Sequence, residues 1–299
     1  MFEIADRLLA AVDAGRTLAV ATAISIEGSA PRTVGTSMGW DGESVIGSIA
    51  GGCVEGAVVE VAQEVLASGV ARTVEFGVTD EDAFAVGLTC GGIIRIHVQL
   101  LDATVEGSLR SGADVEVCRE FSEKRPTERR MIVFGAMEFS AALALAAGAM
   151  GYRVTVVDPR PLFATPVRFP TAEVVVTWPT TYLETTVVDE HTVICVLSHD
   201  ARYDAELIAQ ALALPVAYVG AMGSRNTHDR RVASLLERGV SPDSLAGLHS
   251  PIGLDLGASS PEETAISILA EILAARTDTT ALPLTVLEGS IHGRRAVRA

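Results

Sequence analysis

The sequence predicts an α/β protein in two parts, an N-terminal α+β domain followed by a doubly wound domain built on a parallel sheet. Three observations carry that prediction. The chain has 299 residues, 48% of them hydrophobic, enough for two cores of ordinary size. From residue 131 onward, apolar runs of strand length alternate with helical patterns, the rhythm of βαβ units, whereas the first hundred residues show short strands around one clear amphipathic helix. Between these regions, residues 102–128 are dominated by Asp, Glu, Ser, Gly, Arg and Pro.

The first domain is expected over residues 1–101. It opens with Phe2, Ala5, Leu8, Leu9 and Val12 at helical spacing and a stop at Gly15, then a β-like run from Leu18 to Ile26. A loop is expected from Glu27 to Gly39, where Gly28, Ser29 and Pro31 are turn formers and Arg32 adds a cation; a solvated connection accounts for it without a ligand. Short strands follow at Val45–Ile49, Thr73–Val78 and Ile93–Leu101. Val54, Val58, Ala62, Val65 and Leu66 mark a helix that ends at Gly69.

Residues 102–128 read as a linker with some local structure, and residues 129–290 as the second domain. There a buried strand, Met131–Phe134, leads through a glycine turn into an Ala/Leu-rich helix to Met150 and a second strand, Tyr152–Val157, ending at Asp158. Strands at 172–177, 192–197 and 216–219 and helices at 202–213, 225–238 and 262–275 continue the alternation, so the sheet is parallel and Rossmann-like. Ser260-Pro261-Glu262-Glu263 is a capping box with proline at the first helical position. Residues 291–299 read as a tail.

Composition excludes several functions. Lys and Arg total 23 against 38 acids, a net charge of −15, and residues 1–101 alone hold five arginines against thirteen acids, so a nucleic-acid partner is not expected. Lys124 is the one lysine in the sequence, which leaves Schiff-base chemistry and a phosphate-loop lysine without a candidate. No apolar run reaches about 18 residues and Glu3 and Asp6 stand where a signal peptide carries basic residues, so no membrane span is expected and the cytoplasm is the default location. The four cysteines, at 53, 90, 118 and 195, fit neither a disulfide framework nor a structural metal site and are expected to be reduced thiols, with no metal ligands assigned.

Two of those cysteines adjoin glycine pairs, in Gly51-Gly52-Cys53-Val54-Glu55 and Thr89-Cys90-Gly91-Gly92. Glycine lets backbone N–H groups crowd a ligand, and a helix N-terminus lowers a thiol pKa, so Cys53 beside its helix suggests a thiol site. The plain alternative is a small buried hydrophobe in a glycine turn.

In the second domain Gly135-Ala136-Met137-Glu138-Phe139-Ser140 occupies the dinucleotide-fingerprint position, with Asp158 at the ribose-binding position 23 residues on. Met137 stands where backbone must approach a diphosphate and Glu138 would repel one, so the fold is expected more firmly than NAD(P) binding. His199 and Asp200 end a strand at the carboxyl edge, as an acid/base or ligand pair or as a helix cap. Gly220-Ala221-Met222-Gly223-Ser224-Arg225 forms a second glycine-rich turn before a helix, with Arg225 placed to meet an anion.

Together these residues carry a resemblance. Gly28-Ser-Ala-Pro-Arg32, Gly47-Ser-Ile-Ala-Gly-Gly-Cys-Val-Glu55 and Thr89-Cys-Gly-Gly92 resemble the N-terminal signature of the XdhC/CoxI family, the accessory proteins of xanthine dehydrogenase and related molybdenum hydroxylases. Ser198-His-Asp200, Tyr218-Val-Gly-Ala-Met-Gly-Ser-Arg225, His249-Ser-Pro-Ile-Gly-Leu-Asp255 and Pro261-Glu-Glu263 resemble that family's Rossmann domain, and the similarity runs in order over nearly the whole chain. The resemblance implies a cofactor chaperone rather than an enzyme. Such a protein binds molybdenum cofactor (molybdopterin), supports its sulfuration, with a cysteine desulfurase as one source of sulfur, and delivers it to the apo-hydroxylase. Carried over by position, Cys53 and Cys90 with Gly51, Gly52, Glu55, Gly91 and Gly92 are candidates for holding the cofactor or a sulfur intermediate, and Arg32 for meeting the pterin phosphate. Rival readings are an NAD(P)-dependent oxidoreductase using Asp158 and His199, and a thiol enzyme using Cys53 unaided. A homodimer is the default assembly.

Overall fold

The structure, a computed structural model, describes residues 1–28, 32–77, 92–288 and 296–297. Its contacts divide the chain into one unit made of Met1–Pro126 with the chain from Leu284, and another of Thr127–Pro283.

In the first unit α1 (Ala5–Asp13) is followed by β1 (Ala19–Glu27), β2 (Ser37–Trp40), β3 (Val45–Gly47), α2 (Glu55–Ser68), β4 (Arg72–Phe76) and β5 (Ile93–Leu100). The strands form an antiparallel sheet in the order β3-β2-β1-β5-β4. Period-two alternation assigns its faces: Ala19, Ala21, Ile94, Ile96 and Val98 pack with Val58, Ala62 and Val65 of α2, while Leu18, Val20 and Ile46 pack with Leu8 and Ala11 of α1. Each fully buried branched side chain stabilises the unit by about 2 kcal/mol.

Two features depart from the sequence reading. Strand β2 begins inside the span expected as a loop; Gly39, within it, is a glycine because α1 presses there, and a Cβ would come within 2.6 Å of Leu8 Cδ2. The stretch expected as a linker is ordered through Glu123, as α3 (Ala103–Ser111), β6 (Val115–Cys118) and β7 (Phe121–Glu123). Asp102 caps α3 by accepting the Thr104 and Val105 amides at 2.9 Å, and Val105, Leu109, Val115 and Val117 are buried beside α1. Four apolar residues spaced among charges are enough once a neighbouring face covers them.

The second unit runs β8 (Arg129–Phe134), α4 (Glu138–Ala149), β9 (Tyr152–Val157), β10 (Glu173–Val175), α5 (Pro179–Thr185), β11 (Thr192–Val196), α6 (Asp204–Leu212), β12 (Tyr218–Ala221), α7 (Arg225–Glu237), α8 (Pro242–Leu245), β13 (Leu248–His249) and α9 (Pro261–Thr277). All of its strand pairs are parallel, and the order β10-β9-β8-β11-β12-β13 is the 3-2-1-4-5-6 arrangement of a doubly wound Rossmann-like sheet, as expected. Met131, Val133, Cys195 and Tyr218 face α4 and α9; Ile132, Phe134, Ile194 and Val219 face α6 and α7. The capping box of α9 is present, with Ser260 Oγ accepting the Glu263 amide at 3.2 Å and Glu263 accepting the Ser260 amide. Helices α5 and α8 and the two-residue β13 were not foreseen, being too short to carry a period. Among the described residues no helix is long and apolar enough to cross a membrane.

Candidate functional site

The Cys53 loop begins where β3 ends. Gly47, at φ +84°, turns the chain, and a Cβ there would lie 2.9 Å from the Ser37 carbonyl oxygen. The following residues wrap around a single carboxylate. Glu55, the first residue of α2, folds back so that Oε1 accepts the Ser48 hydroxyl at 2.7 Å, the Ala50 amide at 3.0 Å and the Ile49 amide at 3.2 Å. Its Oε2 accepts the Gly52 amide at 2.8 Å and the Val54 amide at 3.3 Å. Gly51 and Gly52 adopt φ +76° and +111°, values that bring successive N–H groups round to one side. Burial pushes the Glu55 carboxyl up, but the hydrogen bonds from Ala50, Ser48, its own amide and Gly52 outweigh it and hold the group at about 2.

The backbone nest expected to receive a ligand is therefore filled by the chain's own carboxylate. Cys53 sits where expected, immediately before Val54, the N-cap of α2; its free thiol is half-buried and packs beside the α2 core. Within residues 49–54 its amide alone has no acceptor among the described residues. Among the described residues, a Cβ on Gly52 would meet nothing within 4 Å. Arg32 is paired with Glu3, and no hydrogen bond or ion pair links it to the Cys53 loop among the described residues. Gly92 is buried immediately before β5, whereas Cys90 and Gly91 lie outside the described residues.

In the second unit the order of the sheet reverses between β8 and β11, so the ligand crevice of this architecture lies at Gly135–Met137 and Leu197–Asp200. The residues there are engaged with one another. Gly135 (φ +109°) lies against β11, and a Cβ would come 2.9 Å from the Ser198 backbone nitrogen. Asp158 is fully buried; it accepts the Ala136 amide at 2.7 Å and the Arg160 amide, Nε and Nη2 at 2.9, 2.9 and 2.8 Å. Burial raises this carboxyl, and the Arg160 and Ala136 hydrogen bonds overcome that and lower it. Arg168 bonds Glu138 at 2.7 Å and the Ala136 carbonyl at 3.3 Å. The ribose-binding position is thus held by internal donors, and Asp158→Asn is expected to destabilise the protein by about 2 kcal/mol in denaturant titrations by weakening the Arg160 and Ala136 bonds.

His199 is exposed at the carboxyl edge and makes no hydrogen bond among the described residues, while Asp200 forms a bidentate pair with Arg202 and is held at about 2, chiefly by that arginine. Beneath them Ser198 Oγ donates to Asp204 at 2.6 Å. A Cβ on Gly220 would strike Ile252 and the Tyr218 ring at 2.5 and 2.6 Å, so its need is packing. Ser224 caps α7 by accepting the Thr227 amide at 3.2 Å, and Arg225 follows it, exposed.

Sequence reasoning missed a cluster centred on Glu271 of α9. Its carboxylate accepts the Tyr218 hydroxyl at 2.6 Å and the Gly253 amide at 2.7 Å and meets His249 Nδ1 at 3.2 Å, while the His249 and Tyr218 rings stack 4.3 Å apart. The one signal for it was an acid inside the apolar run Ala265–Leu273. Cys195 lies nearby, fully buried, and burial with the Glu271 charge pushes its thiol far above the ordinary range, so it is not a nucleophile. A separate recess opens at the amino edge of the same sheet, lined by Arg129, Tyr152, His191, Tyr218 and Arg276; none of the expected site residues lines it. Among the described residues no group of three or more His, Cys, Asp or Glu side chains is arranged to hold a metal ion.

Comparison with known proteins matches both units. Residues 11–77 match the XdhC and CoxI family and residues 131–272 the XdhC Rossmann domain. The chain is 28% identical to the uncharacterised Escherichia coli protein YqeB over 86% of its own length but only 43% of that protein's. It is 27% identical to a probable xanthine dehydrogenase subunit of Bacillus subtilis, covering 86% of this chain and 92% of that one. It is 26% identical to the Escherichia coli molybdenum cofactor insertion chaperone PaoD, covering 89% and 86%. A crystal structure of a xanthine dehydrogenase from Bacillus halodurans shares the fold, with a TM-score of 0.77 and 24% identity over 94% of this chain and 98% of that one.

Proposed function

Because the chain belongs to the XdhC and CoxI family, we propose that it is an accessory chaperone that binds molybdenum cofactor, supports its sulfuration and delivers it to a xanthine dehydrogenase-type hydroxylase. The observation that carries this reading is the similarity to a molybdenum cofactor insertion chaperone over nearly the full length of both chains. The Cys53 loop supports it. A thiolate is a soft ligand suited to molybdenum or to carrying sulfur, and here the thiol is half-buried beside an amide that, among the described residues, has no acceptor. The bound cofactor would supply the metal centre on which an oxo ligand is exchanged for sulfido. The chain's own part is to present Cys53 on a loop braced by Glu55, with Cys90 as the second thiol and Arg32, released from Glu3, as a phosphate partner. Since Glu55 already fills the loop's amide nest, the pterin phosphate is held elsewhere than in that nest. A cysteine desulfurase would donate the sulfur, and the apo-hydroxylase would receive the product.

The test is stoichiometric binding of molybdenum cofactor under anaerobic, reducing conditions. Wild type is expected to retain it and the folded Cys53→Ser variant to lose at least tenfold in affinity, with Cys90→Ser assigning the second thiol. No retention by wild type would sink the proposal.

A further inference from the structure

The carboxyl ends of β12 and β13 converge on an arginine that the thiol chemistry does not use. Arg231, in the second turn of α7, is 7% exposed. Its Nη1 donates to Ser250 Oγ at 2.8 Å and its Nη2 to the Met222 carbonyl at 2.9 Å. Both acceptors are neutral. Among the described residues no carboxylate lies within 4.0 Å of the guanidinium.

A guanidinium stays charged in any protein setting, and removing it from water is unfavourable unless an opposite charge compensates. The neighbouring acid does this poorly. Asp204 acts on Arg231 only at longer range, and its own carboxyl is raised by burial, against the pull of the Ser198 hydroxyl and the Arg231 charge. Burial in turn lowers Arg231, with Asp204 opposing. Two hydrogen bonds leave the rest of the five-donor fork for another acceptor.

The surroundings suit a small anion. Gly223 carries the backbone across the guanidinium, and a Cβ there would come 3.0 Å from Thr227 and 3.5 Å from Arg231 Nη1. Helix α7, of 13 residues, directs its N-terminus to the same edge, and Arg225 adds a second, exposed cation at its first position. We propose that the carboxyl edge of β12 and β13 is a binding site for a phosphoryl group, with Arg231 as the buried counter-charge and Arg225 as the exposed partner. The anion supplies at close range the compensation that Asp204 gives only from a distance. This site stands independently of the thiol chemistry at Cys53.

Calorimetric titration of the full-length protein with inorganic phosphate, at ionic strength held constant with chloride, tests it. Wild type is expected to bind one phosphate saturably and Cys53→Ser to bind equally well, so failure of the thiol reading and failure of this one remain separable. Arg231→Lys, which keeps the charge and loses the fork, is expected to weaken binding at least tenfold, and Arg225→Ala severalfold, with circular dichroism confirming the fold. Phosphate should also raise the melting temperature of wild type, and should do so far less for Arg231→Lys. Absence of saturable binding by wild type, or equal affinity in a folded Arg231→Lys protein, overturns the assignment.

Discussion

Replacing Glu55 by glutamine is expected to destabilise the first unit by about 3 kcal/mol, a large share of the stability of a domain this size. Five donors converge on the carboxylate: one hydroxyl and the amides of Ile49, Ala50, Gly52 and Val54. A glutamine of the same shape keeps one acceptor oxygen and turns an NH₂ group toward two of those amides, leaving donors unsatisfied and opposed. The effect depends on pH in a defined direction. The Glu55 carboxyl is lowered in the folded protein, from 4.5 to about 2, so its contribution is complete above about pH 5 and is lost as pH falls toward 2. Discounted for partial exposure, this ionisation accounts for about 2 kcal/mol of the effect. Guanidinium titrations of wild type and Glu55→Gln between pH 6 and 2 check it: the gap should narrow as the pH drops, and a gap that stayed constant would mean that ionised Glu55 does not hold the loop. The same variant should alkylate faster at Cys53, because the loop that presents the thiol is folded around this carboxylate.

The second large effect is expected at the turn after β8. Gly135→Ala places a methyl group 2.9 Å from the Ser198 nitrogen and 3.1 Å from its Cα, both backbone atoms of the adjoining strand end that cannot swing aside. The φ of +109° adds conformational strain for any L side chain. Together these predict a loss of about 3 kcal/mol or more. Gly151→Ala serves as the control, since its φ of +80° is also left-handed but, among the described residues, nothing lies within 4 Å of the added Cβ. It is expected to cost about 1 kcal/mol. Equal midpoints for the two variants in urea would show that close approach between β8 and β11 is not what requires the glycine.

The contrast between these glycines explains why the dinucleotide pattern Gly135-Ala136-Met137 is only half informative. Glycine at the end of a first strand is demanded here by contact with a neighbouring strand, a requirement that leaves the same mark in the sequence as a bound diphosphate. Asp158 illustrates the same ambiguity. An acid at the end of the second strand reads as a ribose ligand, yet its four hydrogen bonds go to Ala136 and Arg160.

What the sequence by itself determined is the class of each unit and most of its elements. The β-like run of β1, the alternation in β5, the βα rhythm after Met131 and the Ser260–Glu263 capping box are set by neighbours within a few residues, and local sequence pattern records them directly. It also placed Cys53 at the mouth of α2, because the helix announces itself through Val58, Ala62 and Val65. Only the tertiary structure decided which charges meet. That Glu55 closes its own loop, that Glu271 gathers Tyr218, His249 and Gly253, and that Arg231 is buried with no carboxylate within 4.0 Å among the described residues depends on elements brought together by folding. Strand β2 and the ordering of residues 103–123 belong to the same class, since their apolar residues acquire meaning only beside α1. The physical reason is range: helix and strand patterns are written in the spacing of adjacent side chains, whereas the compensation of a buried charge is written in whatever the fold carries within hydrogen-bonding distance of it.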